Sequence, residues 1–132
     1  MKITADTNVL VRALVEDDAA QSRSAQDELE SAELVALAIP ALCELVWVLA
    51  RHYKLPHRDI AAAIRRLLNA ENVAADRTAV EAGLIMLDQG GDFADGVIAD
   101  SGRWLGAETF VSFDKQAVQV LQAQGEAARA PG

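Results

Sequence analysis

The stretch from Leu34 to Ala50 constrains the fold of this chain most, because its seventeen residues include a single charged side chain, Glu44. Its first part, residues 34–39, is apolar without the alternation of a half-exposed strand, which is typical of a strand in a parallel sheet covered on both faces. Pro40 suits the first turn of a following helix. An unpaired carboxylate among such apolar neighbours is costly or becomes protonated, so we expect the charge of Glu44 to be compensated.

Other apolar segments alternate between short strands and helices. Strands are predicted near residues 3–5, 34–39, 72–75 and 109–113, and helices near 9–14, 20–31, 40–53, 60–70, 78–87, 93–105 and 115–124. Thr7 is the predicted N-cap of the first helix. This alternation predicts an α/β fold with a mainly parallel sheet and helices on both faces. We expect one domain over residues 1–124 and a flexible C-terminal tail over residues 125–132.

The length and composition fit a small globular protein, with 132 residues of which 52% are hydrophobic. The single cysteine, Cys43, excludes an internal disulfide and fits a reducing compartment. No apolar core of a signal peptide follows Met1, and the run from Leu34 to Ala50 is too short to span a bilayer. We therefore expect a soluble, cytoplasmic protein without a membrane partner.

Charge is unevenly distributed along the chain. Twelve Lys and Arg residues against twenty Asp and Glu residues give a net charge of −8, which argues against nucleic-acid binding through a generally basic surface. Residues 51–66 nevertheless form a basic strip, in which Asp59 is the one acid. The basic and histidine residues of this strip are Arg51, His52, Lys54, His57, Arg58, Arg65 and Arg66. Arg65 and Arg66 could contact RNA phosphates or form an ordinary solvated helix face.

Four acidic residues fall where an apolar segment meets a turn or a helix start, namely Asp6, Glu44, Asp95 and Asp114. Because functional groups gather at the carboxyl ends of parallel strands, all four can face one edge of the sheet. The aspartates also have structural alternatives. Asp6 and Asp114 could cap helices, and Asp92 with Asp95 resembles a capping arrangement. Glu44 lies beyond the first turn of its helix and has no such alternative.

Convergence of these carboxylates would require a cation. Without one, each close pair would repel by roughly 3 kcal/mol at an effective dielectric of about 20 and a separation of ~6 Å. Oxygen ligands without a cysteine–histidine cluster favour Mg²⁺ or Mn²⁺ over zinc. Ions held by carboxylates suit phosphate chemistry, so the residues predict a metal-dependent phosphoryl-transfer site.

Several short motifs follow one another along the chain. They are Asp6-Thr7-Asn8-Val9-Leu10-Val11-Arg12, then Asp17-Asp18 and Gln21, then Glu44 after the second strand, Asp92-Phe93-Ala94-Asp95, and Ser112-Phe113-Asp114-Lys115. In this order, over about residues 1–124, the chain resembles PIN-domain ribonucleases, and among them the VapC toxins of bacterial toxin–antitoxin pairs. Departures are Ala19 in place of a frequent proline, Ser112 in place of a common threonine, and Gly96, which weakens the helix after Asp95. Asp100 is an additional acid without an assigned role.

The resemblance implies a PIN-like three-layer sandwich with a short, mainly parallel sheet of four to five strands flanked by helices. It implies an endoribonuclease that hydrolyses an RNA phosphodiester with a metal-activated water, using Mg²⁺, for which Mn²⁺ can substitute. The implied catalytic acids, all of them metal ligands, are Asp6, Glu44, Asp95 and Asp114. The residues expected to position these carboxylates are Thr7, Asn8, Asp92 and Ser112.

The resemblance also implies partners. A small antitoxin is expected to cover the active-site groove, often with a cationic side chain that reaches the acids. The RNA substrate would belong to the tRNA or rRNA class, and a homodimer is expected.

Other functions are considered beside this one. A phosphatase of the haloacid-dehalogenase type needs a second aspartate two residues after the first, where this chain has Asn8. A receiver-like signalling module needs paired acids and a phosphoacceptor that the chain lacks at the right places. A degenerate PIN fold that only binds a partner is disfavoured by the intact acids. His52 and His57 could support metal-free RNA cleavage, although a surface position beside a turn is the simpler interpretation.

Overall fold

Seven helices and five short strands make up the chain, and a computed structural model describes all of residues 1–132. The residues pack as two units, Met1–Asp76 and Arg77–Gly132, which are described in turn. None of the helices combines the length and apolar character needed to cross a bilayer. The single domain over residues 1–124 stays a prediction.

The first unit is built on a three-stranded parallel sheet with the strand order β1–β2–β3. The strands are β1 (Lys2–Thr4), β2 (Leu34–Leu37) and β3 (Val73–Ala75), and the helices are α1 (Thr7–Leu14), α2 (Ala19–Ser31), α3 (Ile39–Arg51) and α4 (His57–Asn69). Ile3 lies opposite Val35, and Ala36 opposite Ala74. Because the strands are parallel, the carboxyl ends of β1 and β2 lie at one edge, from which α1 and α3 leave the sheet.

Helices α3 and α4 bury one face each. The buried residues of α3 are Leu42, Leu45, Val46 and Leu49, and those of α4 are Ile60, Ala61, Ala63 and Ile64. The spacing of three and four residues places each set on one side of its helix. The four buried residues of α3 therefore form one inward stripe, which leaves Glu44 on another side of the helix.

The second unit contains three helices and a two-stranded parallel sheet. Its elements are α5 (Arg77–Asp88), α6 (Phe93–Trp104), β4 (Phe110–Val111), α7 (Lys115–Ala123) and β5 (Ala128–Arg129). A buried cluster that includes Met86, Ala99, Val118 and Leu121 joins α5, α6 and α7. Three of the predicted site residues lie at the starts of α6 and α7.

Two glycines allow α5 and α6 to approach closely. A Cβ atom on Gly96 would overlap the carbonyl oxygen of Ala82 and lie 2.6 Å from Cγ of Met86. A Cβ atom on Gly83 would lie 2.6 Å from the ring of the fully buried Phe93. The glycine that weakens helix propensity after Asp95 is thus required by helix packing.

The α/β class with parallel strands is confirmed, but one sheet of four to five strands is wrong. Three strands form one sheet and two form another. Strand β4 spans two residues where 109–113 was predicted, and the predicted tail contains β5. Alanine is depleted in strands and the pairing partner is distant in sequence, so local composition carries no signal for β5. Thr7 is the first residue of α1, and Asp6 is its N-cap.

Candidate active site

Asp6 lies just after β1 and caps α1. Its backbone is extended, and its Oδ1 accepts a hydrogen bond of 2.8 Å from the backbone N–H of Thr7. A carboxylate at this position is also favoured by the positive end of the helix dipole. The cap fixes an exposed carboxylate at the edge of the sheet, as one alternative for this residue predicted.

Thr7 connects this helix start to α3. Its side chain is buried, and its hydroxyl oxygen lies 3.4 Å from both the carbonyl oxygen of Ala41 and Oε1 of Glu44. A hydroxyl has one hydrogen to donate, so it serves one of these acceptors at a time. The contact nevertheless brings the carboxylate of Glu44 next to the residue that follows Asp6.

Glu44 is exposed, and the expectation that its charge needs compensation is wrong. The apolar neighbours in its sequence, such as Leu42 and Leu45, point to the buried side of α3, whereas Glu44 and Trp47 point to solvent. Successive helical residues are rotated by about 100°, so an apolar stretch of sequence does not make an apolar environment. Desolvation of Glu44 therefore gives no argument for a cation.

An open groove of about 330 Å³ in the first unit contains half of the predicted site residues. The groove is lined by Asp6, Thr7, Asn8, Val11, Arg12, Glu44, Val48, His52 and Tyr53. Two of these side chains are acidic, and Arg12 is the one with a permanent positive charge. The groove is therefore a mixed-charge surface.

The second unit carries the other predicted site residues at two helix starts. Asp92 is the N-cap of α6 and accepts a hydrogen bond of 3.2 Å from the N–H of Ala94, while Asp95 lies in the first turn. Asp114 is the N-cap of α7 and accepts a hydrogen bond of 3.1 Å from the N–H of Ala117.

Ser112 supports the second of these starts. Its Oγ accepts a hydrogen bond of 3.0 Å from the N–H of Asp114. The contact fixes the backbone of the capping residue, and the cap in turn fixes the carboxylate. Ser112 and Asp114 thus form one local turn ahead of α7.

Asp95 is the electrostatically strained member of this group. Burial raises the pKa of its half-buried carboxyl, and the charges of Asp92 and then Asp114 raise that pKa further. Asp92 and Asp114 are therefore both close enough to repel the ionised carboxylate of Asp95. A bound cation would relieve this repulsion.

No group of three or more His, Cys, Asp or Glu side chains in the structure could by itself hold a metal ion. Mg²⁺ rarely needs such a cage, because it commonly keeps several waters and binds through one or two carboxylates together with substrate phosphates. Carboxylates at helix starts, one of them half-buried with a pKa raised by burial and by its acidic neighbours, fit a partly hydrated ion of this kind. The structure thus places the acids in two clusters, and their union in one metal site stays a prediction.

A polar triad in the first unit was not identified as functional from the sequence. Nη1 of Arg12 lies 2.7 Å from Oδ1 of Asp17, and the hydroxyl of Tyr53 donates to Oδ2 of Asp17 over 3.1 Å. Arg12 and Asp17 stand in the opening motif, but Tyr53 is 36 residues from Asp17. Only the packing of α1 and α3 reveals their connection.

The two histidines are exposed, as predicted. His52 lines the groove, and its ring meets the ring of Tyr53 edge to face, with centroids 4.8 Å apart. His57 begins α4 and does not line the groove. The pair needed for metal-free acid–base cleavage is therefore not assembled in this groove.

The family model for the PIN domain matches residues 3–121, a range that includes every predicted site residue from Asp6 to Asp114. No curated protein is similar enough to the chain to count as a match. The family match extends across most of the chain and does not depend on one motif. This chain belongs to the PIN domain family.

Proposed function

We propose that the chain is a Mg²⁺-dependent endoribonuclease that hydrolyses RNA phosphodiester bonds and acts as the toxin of a toxin–antitoxin pair. PIN domains are typically nucleases, and PIN nucleases generally use divalent metal ions. The observation that carries the proposal is the extent of the family match, which includes all the acids predicted from the sequence. The match favours a nuclease over the phosphatase and receiver alternatives.

In this proposal Asp6, Glu44, Asp95 and Asp114 serve one site, with Asp6 and Asp95 as direct metal ligands. When bound, the ion would lower the pKa of the attacking water and neutralise charge on the phosphate oxygens. Helix caps hold Asp6 and Asp114 in fixed orientations before any substrate arrives. Such preorganisation limits the entropy lost on reaching the reactive geometry.

Four polar residues are proposed to position these acids. Thr7 contacts Glu44, Ser112 contacts the backbone of Asp114, and the charge of Asp92 acts on Asp95. Asn8 lines the same groove as Asp6 and Glu44. Thr7 and Ser112 would act through these hydrogen bonds, Asp92 through its charge, and Asn8 through its place in the groove.

The decisive experiment is cleavage of purified tRNA and rRNA by the isolated chain with Mg²⁺, with Mn²⁺ and with EDTA. We expect cleavage with either ion, none with EDTA, and a loss of roughly 100-fold or more in Asp6→Asn and in Asp95→Asn. Asp27→Asn, which removes the same charge from an exposed position on α2, is the matched control. Equal cleavage in EDTA would exclude the metal mechanism.

The ends of the products provide a second test. Attack by water gives 5′-phosphate and 3′-hydroxyl ends, whereas metal-free cleavage through the 2′-hydroxyl gives a 2′,3′-cyclic phosphate. Ligation with and without phosphatase treatment distinguishes them. Cyclic ends would return attention to His52 and His57.

A non-catalytic PIN module that only binds a partner is the second candidate. The observation in its favour is that no three-residue metal-holding group is present. Such a module would leave RNA intact under every condition in which the unaltered chain is folded. The cleavage assay therefore separates the two candidates directly.

The toxin role and the partners are tested in cells. Expression of the chain in a bacterium is expected to arrest growth, and Asp6→Asn is expected to abolish the arrest. A small antitoxin expressed with the chain should restore growth and co-purify with it. The homodimer is tested by light scattering after gel filtration, and cytoplasmic location by fractionation.

A further inference from the structure

We infer that Arg12 binds a phosphate of the RNA backbone in the groove of the first unit, with Asp17 and Tyr53 as the residues that position its guanidinium. This inference rests on the proposed function, since it names how the RNA would be held. It assigns a role to three residues that the acidic site leaves unused.

The first support is the way in which Arg12 is held. Its Nη1 contacts Oδ1 of Asp17 at 2.7 Å, and Oδ2 of Asp17 accepts from the hydroxyl of Tyr53 at 3.1 Å. Both oxygens of Asp17 are thus used, one on each side. Asp17 connects Arg12, in the last turn of α1, with Tyr53, two residues beyond the end of α3, and so fixes the guanidinium relative to both helices.

The second support is the number of N–H donors of Arg12 that Asp17 leaves open. A guanidinium carries five N–H donors in a rigid plane, and only Nη1 of Arg12 donates to Asp17. The side chain of Arg12 is 37% exposed and lines the groove. An exposed ion pair adds little to stability, whereas a guanidinium with a fixed plane and open donors suits the two oxygens of a phosphate.

The third support is the charge of the groove. Asp6 and Glu44 line it and would repel an RNA phosphate, and the chain as a whole carries a net charge of −8. Arg12 is the lining residue whose positive charge is permanent. The hydrogen bond and the charge of Asp17 raise the pKa of Arg12 further, so the cation persists at any working pH.

The carboxylate that holds Arg12 also stays charged. Burial alone raises the pKa of Asp17, but the hydrogen bonds from Tyr53 and Arg12 outweigh it and leave that pKa below its ordinary value. The charges of Arg12 and Asp17 therefore stay the same across the neutral pH range. This constancy suits a positioning device rather than a switch.

The test measures binding separately from cleavage. A fluorescently labelled single-stranded RNA is titrated with the full chain in EDTA, and again with Ca²⁺ in place of Mg²⁺, over a range of salt concentrations. We expect Arg12→Gln to weaken binding roughly tenfold and to reduce the slope of log K against log salt by about 0.7. Arg12→Lys keeps the charge but loses the planar pair of N–H donors. Its RNA affinity should lie between those of the unaltered chain and Arg12→Gln.

Arg23→Gln is the matched control, because it removes the same charge from an exposed position on α2 outside the groove. Its binding should stay within about twofold of the unaltered chain. Equal weakening by Arg12→Gln and Arg23→Gln would mean that only net charge matters and would overturn the inference. So would an unaffected Arg12→Gln, or no measurable binding by the unaltered chain in either buffer.

Asp17→Asn and Tyr53→Phe test positioning. Loss of the Asp17 charge should tighten RNA binding if net charge alone decided it, whereas a positioning role predicts weaker binding. Tyr53→Phe removes one hydroxyl without a change in charge and should weaken binding in the same direction. Circular dichroism confirms that each variant is folded, and tighter binding by Asp17→Asn contradicts the positioning role.

These outcomes are distinct from failure of the proposed function. Binding that depends on Arg12 without any RNA cleavage would refute the nuclease and keep the RNA contact. Metal-dependent cleavage with an unchanged KM in Arg12→Gln would keep the nuclease and refute the contact.

Discussion

The acids of the first unit and those of the second unit stand in different electrostatic surroundings. Asp6 and Glu44 are exposed in an open groove that also contains Arg12. Asp95 is half-buried, and its pKa is raised by burial and by Asp92 and Asp114. The first unit thus offers mixed charge to an incoming ligand, whereas the second concentrates negative charge at the starts of α6 and α7. The two groups of acids therefore differ in burial and in the charges that surround them.

The largest effect on stability is expected where the close packing of α5 against α6 is disturbed. Gly96→Ala should lower the free energy of unfolding by about 2–3 kcal/mol, because the new methyl group overlaps backbone of α5. Chemical denaturation measures the loss. Gly102→Ala is the control on the same helix, since its Cβ would have only Ala107 nearby, at 3.8 Å, and should be neutral or stabilising. An equal loss in both variants would show that α6 is not fixed by its contact with α5.

The next effect compares the ion pairs of the two units. Asp100 is 5% exposed, its Oδ2 has no hydrogen-bond partner, and its Oδ1 lies 3.4 Å from Nη2 of Arg103. Arg103→Ala should cost about 1–3 kcal/mol, because it leaves a buried carboxylate without a cation. Adding Asp100→Asn to that variant should recover much of the loss. Arg12 and Asp17 form an exposed ion pair in the first unit, so Arg12→Ala should leave the denaturation midpoint unchanged. Equal losses of stability in Arg103→Ala and Arg12→Ala would contradict this comparison.

The smallest effect concerns the acids themselves. The raised pKa of Asp95 means that the folded state binds its proton more readily than the unfolded state does. Ionisation of Asp95 therefore lowers the free energy of unfolding, and this loss develops as pH rises from the ordinary aspartate pKa through the raised pKa. Asp95→Asn should therefore be more stable than the unaltered chain at about pH 7, by less than about 1 kcal/mol because solvent screens the half-exposed group. The difference should vanish at about pH 3.

Glu44→Gln is the control for this effect, because Glu44 is exposed and its neutralisation should leave stability unchanged. Added Mg²⁺ provides a second readout that does not require activity. It should raise the melting temperature of the unaltered chain more than that of Asp95→Asn. If Asp95→Asn were less stable than the unaltered chain at neutral pH, the ionised carboxylate of Asp95 would stabilise the fold, contrary to this prediction.

Much of the fold and part of the site follow from short-range patterns. The continuous apolar run and Pro40 predict β2 and the helix after it, and the inward stripe of α3 follows from spacing alone. Asp6 and Asp114 cap helices because aspartate is preferred at the N-cap position, a preference that is visible in the sequence. The order of the motifs is sufficient to identify the family.

Other features depend on which elements pack together. The exposure of Glu44 depends on the rotation of α3 against its neighbours, and β5 exists because it pairs with a strand eighteen positions earlier. The contact of Asp17 with Tyr53, the close approach at Gly96 and the raised pKa of Asp95 are likewise set between elements. Periodicity and caps are local properties of the backbone and can be read along the chain. Burial and charge coupling are properties of three-dimensional distance, which only the tertiary structure decides.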